Sequence, residues 1–200
     1  MKGINVVCRP DVLVNDKSLP CIAVDSGLLY AIENKLNIIK VIGDFDSLDN
    51  KEYENYQDIL VKFPKEKNKS DLELTIETLK DYPDPIYIYG ALGKRQDHNL
   101  VNLKLCYYSD LNIHLIDEYN EIYCLKPGKH YLIKNNYKYI SFMTFLPVEL
   151  KLIDFKYPLD NYLLKMDDNL TLSNEFIKKK GIIENKERIL VILSQDRKIK

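Results

Sequence analysis

The sequence predicts an α/β protein with an N-terminal, mostly parallel α/β sheet domain over residues 1–118. A small C-terminal β-sandwich domain follows over residues 119–200. Two observations carry this reading. Up to about Glu118, short apolar runs alternate with segments of helical period, the pattern of a parallel sheet with helices on its faces. Beyond it the texture changes to short strand-like runs separated by turn signals such as Pro127-Gly128 and Asn135-Asn136, the pattern of a small sandwich or barrel. Two hundred residues, 46% hydrophobic and 30% charged, are enough to build such cores without disulfide or metal staples.

The remaining composition narrows the function. A net charge of −1 offers no electrostatic case for nucleic acid or membrane binding. No apolar run approaches the ~18 residues a membrane helix needs, and no signal-peptide pattern opens the sequence, so the expected location is the cytoplasm. Cys8, Cys21, Cys106 and Cys124 form no C-x-x-C and each falls in an apolar segment, which predicts buried free thiols. Only four of the 29 basic residues are arginine (Arg9, Arg95, Arg188 and Arg197), so each arginine is a candidate for bidentate contact with phosphate or carboxylate.

In chain order, Ile4–Cys8 and Cys21–Val24 read as strands, the second ending at Asp25-Ser26-Gly27. Leu28–Lys35 then has helical spacing. A strand running into a small-residue turn and a helix is a common place for phosphate or ribose contacts, although Asp25 can equally be a helix N-cap. Ile38–Ile42 is the next strand and delivers Gly43-Asp44-Phe45-Asp46-Ser47 at its carboxyl end. Positions i and i+2 of a strand point the same way, so Asp44 and Asp46 can present two carboxylates to one divalent cation. Mg²⁺ is the natural candidate, being hard and accustomed to bridging carboxylates and phosphates.

Asp49–Tyr56 is polar with some helical character, and Ile59–Phe63 is a short strand. The lysine-rich loop Pro64–Lys69 leads into Ser70-Asp71-Leu72-Glu73, a capping box that opens a helix with Leu72, Ile76 and Leu79 on one face. Ile86–Tyr89 is a strand ending at Gly90-Ala91-Leu92-Gly93-Lys94-Arg95-Gln96-Asp97-His98. A strong helix follows, whose expected apolar face comprises Leu100, Leu103 and Tyr107 with Val101, Leu105 and Tyr108. Asp97 has a bland reading as its N-cap and His98 as an exposed first-turn residue. Asn112–Asp117 closes this half. In the second half, Glu121–Leu125, His130–Lys134, Tyr139–Phe145, Leu150–Asp154, Leu170–Leu172 and Arg188–Leu193 read as strands. Asn174–Lys179 is weakly helical, and Lys178-Lys179-Lys180 reads as a solvated turn.

Each acidic motif has a local explanation, but together they do not. Asp25, Asp44, Asp46, Asp71 and Asp97 all fall at strand carboxyl ends or at the start of the next helix. In an open α/β sheet those ends line one crevice. Carboxylates converging there require a cation, and Arg95 with Lys67 or Lys69 supplies an anion-binding side. By chemical role this is a nucleotide-dependent phosphoryl-transfer site.

These residues carry a family resemblance. Asp25-Ser26-Gly27, Ile42-Gly43-Asp44-Phe45-Asp46-Ser47, Lys67-Asn68-Lys69-Ser70-Asp71 and Gly93-Lys94-Arg95-Gln96-Asp97-His98 resemble the ordered motifs of the thiamine pyrophosphokinases. Lys156-Tyr157-Pro158-Leu159 and Leu172-Ser173-Asn174-Glu175 resemble that family's C-terminal segments. The resemblance implies a homodimer with active sites at the subunit interface, and the reaction of ATP with thiamine to give AMP and thiamine diphosphate. It further implies Mg²⁺ ligation by Asp44, Asp46 and Asp71, with Asp97 in the same acidic cluster. The nucleotide side is assigned to Asp25, Ser26, Lys67, Ser70, Arg95 and His98, and the thiamine side to Ser173 and Asn174. This chain departs from the family pattern at Ser26 (usually glycine), Asn68 (often aspartate), Ser70 (usually threonine) and around Asp154-Phe155, where a glycine is expected. Without tryptophan, any stacking on thiamine falls to Tyr or Phe.

Two other readings fit parts of the pattern. Asp44 and Asp46 could be the nucleophile and acid of an aspartyl-phosphate phosphatase, although Leu48 stands where that class has Thr or Val. Alternatively the chain could be a nucleotide- or thiamine-binding sensor without turnover.

Overall fold

The computed structural model describes residues 2–44, 54–63 and 68–196. Asp46 and Lys67 therefore lie outside the described residues, as do Phe45 and Ser47–Tyr53. The chain divides into two compact units, Met1–Glu118 and Tyr119–Lys200.

Among the described residues the first unit is built on six parallel strands: β1 (Ile4–Val7), β2 (Pro20–Val24), β3 (Asn37–Gly43), β4 (Leu60–Lys62), β5 (Ile86–Tyr89) and β6 (Ile113–Ile116). Their order is β4-β3-β2-β1-β5-β6. The chain steps outward from β1 through β4, then returns to the other side of β1 for β5 and β6. The direction of winding thus reverses between β1 and β5, and such a reversal opens a crevice at the strands' carboxyl ends. All four residues of β1 are buried, as in a parallel sheet covered on both faces, and the one polar member, Asn5, donates its amide to Asp16 O at 2.8 Å.

Among the described residues three α-helices accompany the sheet: α1 (Gly27–Glu33), α2 (Asp71–Thr78) and α3 (Gln96–Tyr108), with a 3₁₀ turn at Glu54–Ile59. Gly27 sets the approach of α1, because a Cβ there would overlap the carbonyl oxygen of Val7. Leu28, Tyr30 and Ala31 of α1 pack with Val7, Ala23, Val41 and Tyr89 in one core. The Tyr30 hydroxyl accepts from Val14 N (3.0 Å) and the Tyr89 hydroxyl from Asn15 N (3.3 Å), so two core rings use their polar tips to hold the loop between β1 and β2.

Helix α3 forms where expected but covers only part of the expected face: Tyr107 is buried and Leu103 and Leu105 are half-buried. Leu100, Val101 and Tyr108 are more than half exposed, at 59%, 51% and 54%, whereas Asn102, Cys106 and Tyr107 are buried. Asn99 and Asn102 bond to the backbone of the preceding glycine loop, so this side of the helix faces the protein as well. Asp97 is not its N-cap: that position is Arg95, without a side-chain cap bond.

In the second unit β7 (Asn120–Leu125), β13 (Ile189–Ser194) and β9 (Tyr139–Met143) pair antiparallel in the order β7-β13-β9. A four-stranded antiparallel sheet has the order β11-β10-β12-β8, comprising β8 (Gly128–Ile133), β10 (Val148–Ile153), β11 (Leu159–Leu164) and β12 (Lys180–Asn185). Their core is aromatic at its centre. Phe155 meets Phe142 edge-on with centroids 5.7 Å apart and lies 5.0 Å from Phe176, and a Cβ at Gly181 would run into the Phe155 ring.

Three expectations are corrected here. Leu170–Leu172 is a turn, not a strand, and Asn174–Lys179 is not helical. Instead Asn174 and Phe176 form isolated bridges with Ile140 and Phe155. The lysine run is not a free turn: Lys178 pairs with Asp154 at 2.7 Å, and Lys180 opens β12 with its ammonium 4.7 Å from the Tyr131 ring. Strands β11 and β12 escaped the pattern because polar residues interrupt their apolar alternation. No helix among the described residues is long and apolar enough to cross a membrane.

Candidate active site

The reversal between β1 and β5 opens onto a cleft of about 760 Å³ in the first unit. Cys8, Arg9 and Asp11 reach it from the end of β1, Asp25 from β2 and Asp44 from β3. The start of α2 contributes Asn68 through Leu72. The loop after β5 contributes Gly90, Gly93, Lys94 and Arg95, and α3 contributes His98, Asn99 and Asn102.

The acidic wall is set by backbone geometry. Asp25 sits at φ +46°, a left-handed conformation, with its N–H donating to Ile42 O at 2.9 Å. Its carboxylate lies over Gly43, where any Cβ would overlap Oδ1. Glycine in Gly-Asp-Phe-Asp-Ser thus has a steric cause: it lets the Asp25 carboxylate lie beside the strand end that carries Asp44. Ser70 caps α2, accepting from Glu73 N at 3.1 Å, and this fixes Asp71 in the first turn. Beneath them, burial pushes the Cys8 thiol up to about 12. Asp25 adds to the rise, Arg9 opposes it, and Asp71 contributes least. Cys8 is therefore a neutral floor rather than a thiolate ligand.

The cationic wall is ion-paired. Arg95 holds Asp97 through Nε–Oδ1 (3.2 Å) and Nη2–Oδ2 (2.5 Å), and this pairing draws the exposed Asp97 carboxyl down to about 2. Lys69 pairs with Glu77, and Arg9 Nε lies 3.2 Å from Asp11 Oδ1. The loop between these groups is stapled from within α3. Asn99 accepts from Gly93 N (2.8 Å) and donates to Gly93 O (2.9 Å), while Asn102 donates to Ala91 O (2.7 Å).

In the second unit the two C-terminal motifs meet. Asn174 is buried, accepts from Tyr157 N (3.0 Å) and Glu175 N (2.9 Å), and donates to Tyr157 O (2.8 Å). Lys156 pairs with Glu175 at 2.7 Å, and its ammonium lies 5.6 Å from the Tyr157 ring. Ser173 stands at φ +53°, its N–H donating to Ser141 Oγ at 2.9 Å.

Residues 12–116 match the family described as thiamin pyrophosphokinase, catalytic domain, and residues 129–190 match its vitamin B1 binding domain. The chain belongs to the thiamine pyrophosphokinase family. Among its relatives, a thiamine pyrophosphokinase of Bacillus subtilis (strain 168) is 34% identical over 210 residues, covering 96% of this chain and 98% of the relative. A crystal structure of thiamine pyrophosphokinase from Bacillus subtilis superposes with a TM-score of 0.86 at 31% identity, over 98% of this chain and all of that one. A thiamin pyrophosphokinase family protein from Enterococcus faecalis gives 0.84 at 30% identity, over 98% and 99% of the two chains.

Of the residues the pyrophosphokinase motifs single out, Asp25, Asp44, Ser70, Asp71, Arg95 and His98 line one cleft. Asp46 and Lys67 fall outside the described residues. Ser26 occupies the N-cap position of α1 without a side-chain cap bond, and neither it nor Asp97 lines the cleft. Ser173 and Asn174 belong to the second unit. Sequence reasoning missed Arg9 as a site residue, although the scarcity of arginine had marked it. It also missed Asn99 and Asn102, whose bonds across six and eleven positions leave no local signature. The donors present suit a hard divalent cation: carboxylate oxygens, with the nearest thiol protonated. Among the described residues no three such side chains form a cage. Mg²⁺ held partly by phosphates needs only one or two carboxylates and retains water.

Proposed function

We propose that this chain transfers a pyrophosphoryl group from ATP to the hydroxyl of thiamine, giving thiamine diphosphate and AMP. The observation that carries the reading is the convergence of Asp25, Asp44 and Asp71, from three separate segments, on one cleft that also holds Arg9, Lys69, Lys94 and Arg95. Acid for a metal and cations for phosphate within one cleft is the division of labour that phosphoryl transfer requires. Residues 1–118 form the catalytic domain in this reading and residues 119–200 the thiamine-binding domain.

Asp44, Asp46 and Asp71 would hold Mg²⁺, which when bound supplies charge neutralisation on the phosphates. Asp25, Ser26, Lys67, Ser70 and His98 bind the nucleotide. Arg95 exchanges its surface pairing with Asp97 for a phosphate, and the charge on Asp97 keeps the guanidinium at the rim until then. On the thiamine side, Asn174 acts by fixing the Tyr157 backbone and Ser173 by its position beside it. Alignment of the thiamine hydroxyl with the phosphorus does the main work, and no dedicated base is assigned. The working form is a cytoplasmic homodimer. The family match over both domains disfavours the phosphatase and sensor readings.

Product analysis with ATP, Mg²⁺ and thiamine tests the proposal. AMP and thiamine diphosphate should appear together and only with metal, and Asp71→Asn should reduce turnover to background with an unchanged circular dichroism spectrum. ADP with thiamine monophosphate would mean attack at a different phosphorus. Phosphate alone would revive the phosphatase, and thiamine binding without product the sensor. Near-normal turnover in a folded Asp71→Asn protein would remove Asp71 from the metal site. Sedimentation equilibrium tests the dimer.

A further inference from the structure

Arg9 stands where the winding of the sheet reverses. It directly follows β1 and Cys8, whose N–H donates to Tyr89 O at 2.9 Å across to β5. The glycine loop that leaves β5 is shaped around it. At Gly93 a Cβ would overlap Arg9 Nη1. At Gly90, whose φ of +86° itself favours glycine, a Cβ would come within 3.0 Å of Arg9 N and 3.1 Å of Arg9 Cβ. Both glycines thus lie against Arg9, Gly90 against its backbone and Cβ and Gly93 against its movable guanidinium tip.

The pairings of the cleft cations differ in kind. The partners of Arg95 and Lys69, namely Asp97 and Glu77, do not line the cleft. The partner of Arg9 does: Asp11 lines the cleft and its side chain is 67% exposed, while that of Arg9 is only 35% exposed. An anion entering the crevice can therefore displace Asp11 into water while Arg9 stays in place. Exposed ion pairs are weak and exchange readily, whereas a guanidinium fork matches phosphate oxygens.

We propose that Arg9 binds the phosphates of the nucleotide in the crevice between β1 and β5, and that Asp11 occupies it competitively when no nucleotide is bound. This rests on reading the cleft as the nucleotide site. The competing role for Arg9 is a brace joining the β1 end to the glycine loop, and the two roles predict opposite effects of Asp11. If Asp11 competes, Asp11→Asn lowers the KM for ATP and leaves the KM for thiamine unchanged. If Asp11 completes a brace, the same substitution leaves the ATP KM unchanged or raises it.

The experiment measures steady-state KM and kcat for ATP and thiamine, with ATP binding by calorimetry. The full chain is compared with Arg9→Ala, Arg9→Lys, Asp11→Asn, Gly93→Ala and the Arg9→Ala/Gly93→Ala pair. Loss of a charged hydrogen-bonding group should raise the ATP KM of Arg9→Ala by about 10- to 100-fold. Arg9→Lys should recover part of this, and thiamine KM should not change. Gly93→Ala should weaken ATP binding alone but add little once Arg9 is alanine. An unchanged ATP KM in a folded Arg9→Ala protein, or an unchanged or raised one in Asp11→Asn, overturns the inference while leaving the cleft's function intact. An unsubstituted chain that binds no ATP overturns both.

Discussion

Helices α2 and α3 both start at the cleft, yet they are anchored by different means. Helix α2 is fixed locally: the Ser70 hydroxyl accepts from Glu73 three residues on, and Leu72, Thr75 and Ile76 turn into the core. Helix α3 has no side-chain cap. Its first turn is held by the exposed Arg95–Asp97 pair, and its orientation by Asn99 and Asn102 bonding to Gly93 and Ala91. One helix carries its instructions within a single turn, whereas the other receives them from a loop up to eleven positions away. The difference separates two duties. Helix α2 presents Asp71 on a rigid start, while α3 uses its interior amides to hold open the glycine loop that faces β1.

Substitutions can break this contrast. Ile76→Ala, on the buried face of α2, should cost about 2–5 kcal/mol in chemical denaturation. The equivalent apolar deletion on α3, Leu100→Ala, should fall within about 0.5 kcal/mol of zero because Leu100 is exposed. Asn102→Ala should cost about 1–3 kcal/mol, since it leaves the Ala91 carbonyl without the amide donor and opens a small void. It should also raise the KM for ATP, which a purely stabilising group would not do. Ser70→Ala should remove about 1 kcal/mol through loss of the cap, and Ser70→Thr should restore it.

The Arg95–Asp97 pair should also contribute little. Its folded carboxyl lies below the ordinary range, so any stability it confers is present above about pH 4 and is lost as pH falls through about 2. Both side chains are largely exposed, so salt should erase the effect. Melting curves of the unsubstituted chain and Asp97→Asn should therefore converge below pH 2 and in high salt.

The order of strand and helix, the capping box at Ser70 and the placing of Asp25 and Asp44 at strand ends and Asp71 at a helix start were legible because each depends on spacing within a few residues. The strands β11 and β12, and the clamp of Asn174 on Tyr157, were not. A polar-interrupted strand is recognised only by the partners that bury it, and an amide seventeen positions away has no period. The apolar residues of α3 announced a helix, but their period could not say which face would be covered.

By itself the sequence determined the α/β alternation, the family and the placing of Asp25, Asp44 and Asp71 together, since short-range patterning and motif order are properties of the chain alone. Tertiary structure decided three things: which side of α3 faces inward, why Gly43 must lack a side chain beside Asp25, and how Gly90 and Gly93 admit Arg9. Those outcomes depend on groups brought together by the parallel sheet, whose crossover connections place residues far apart in the chain at neighbouring strand ends.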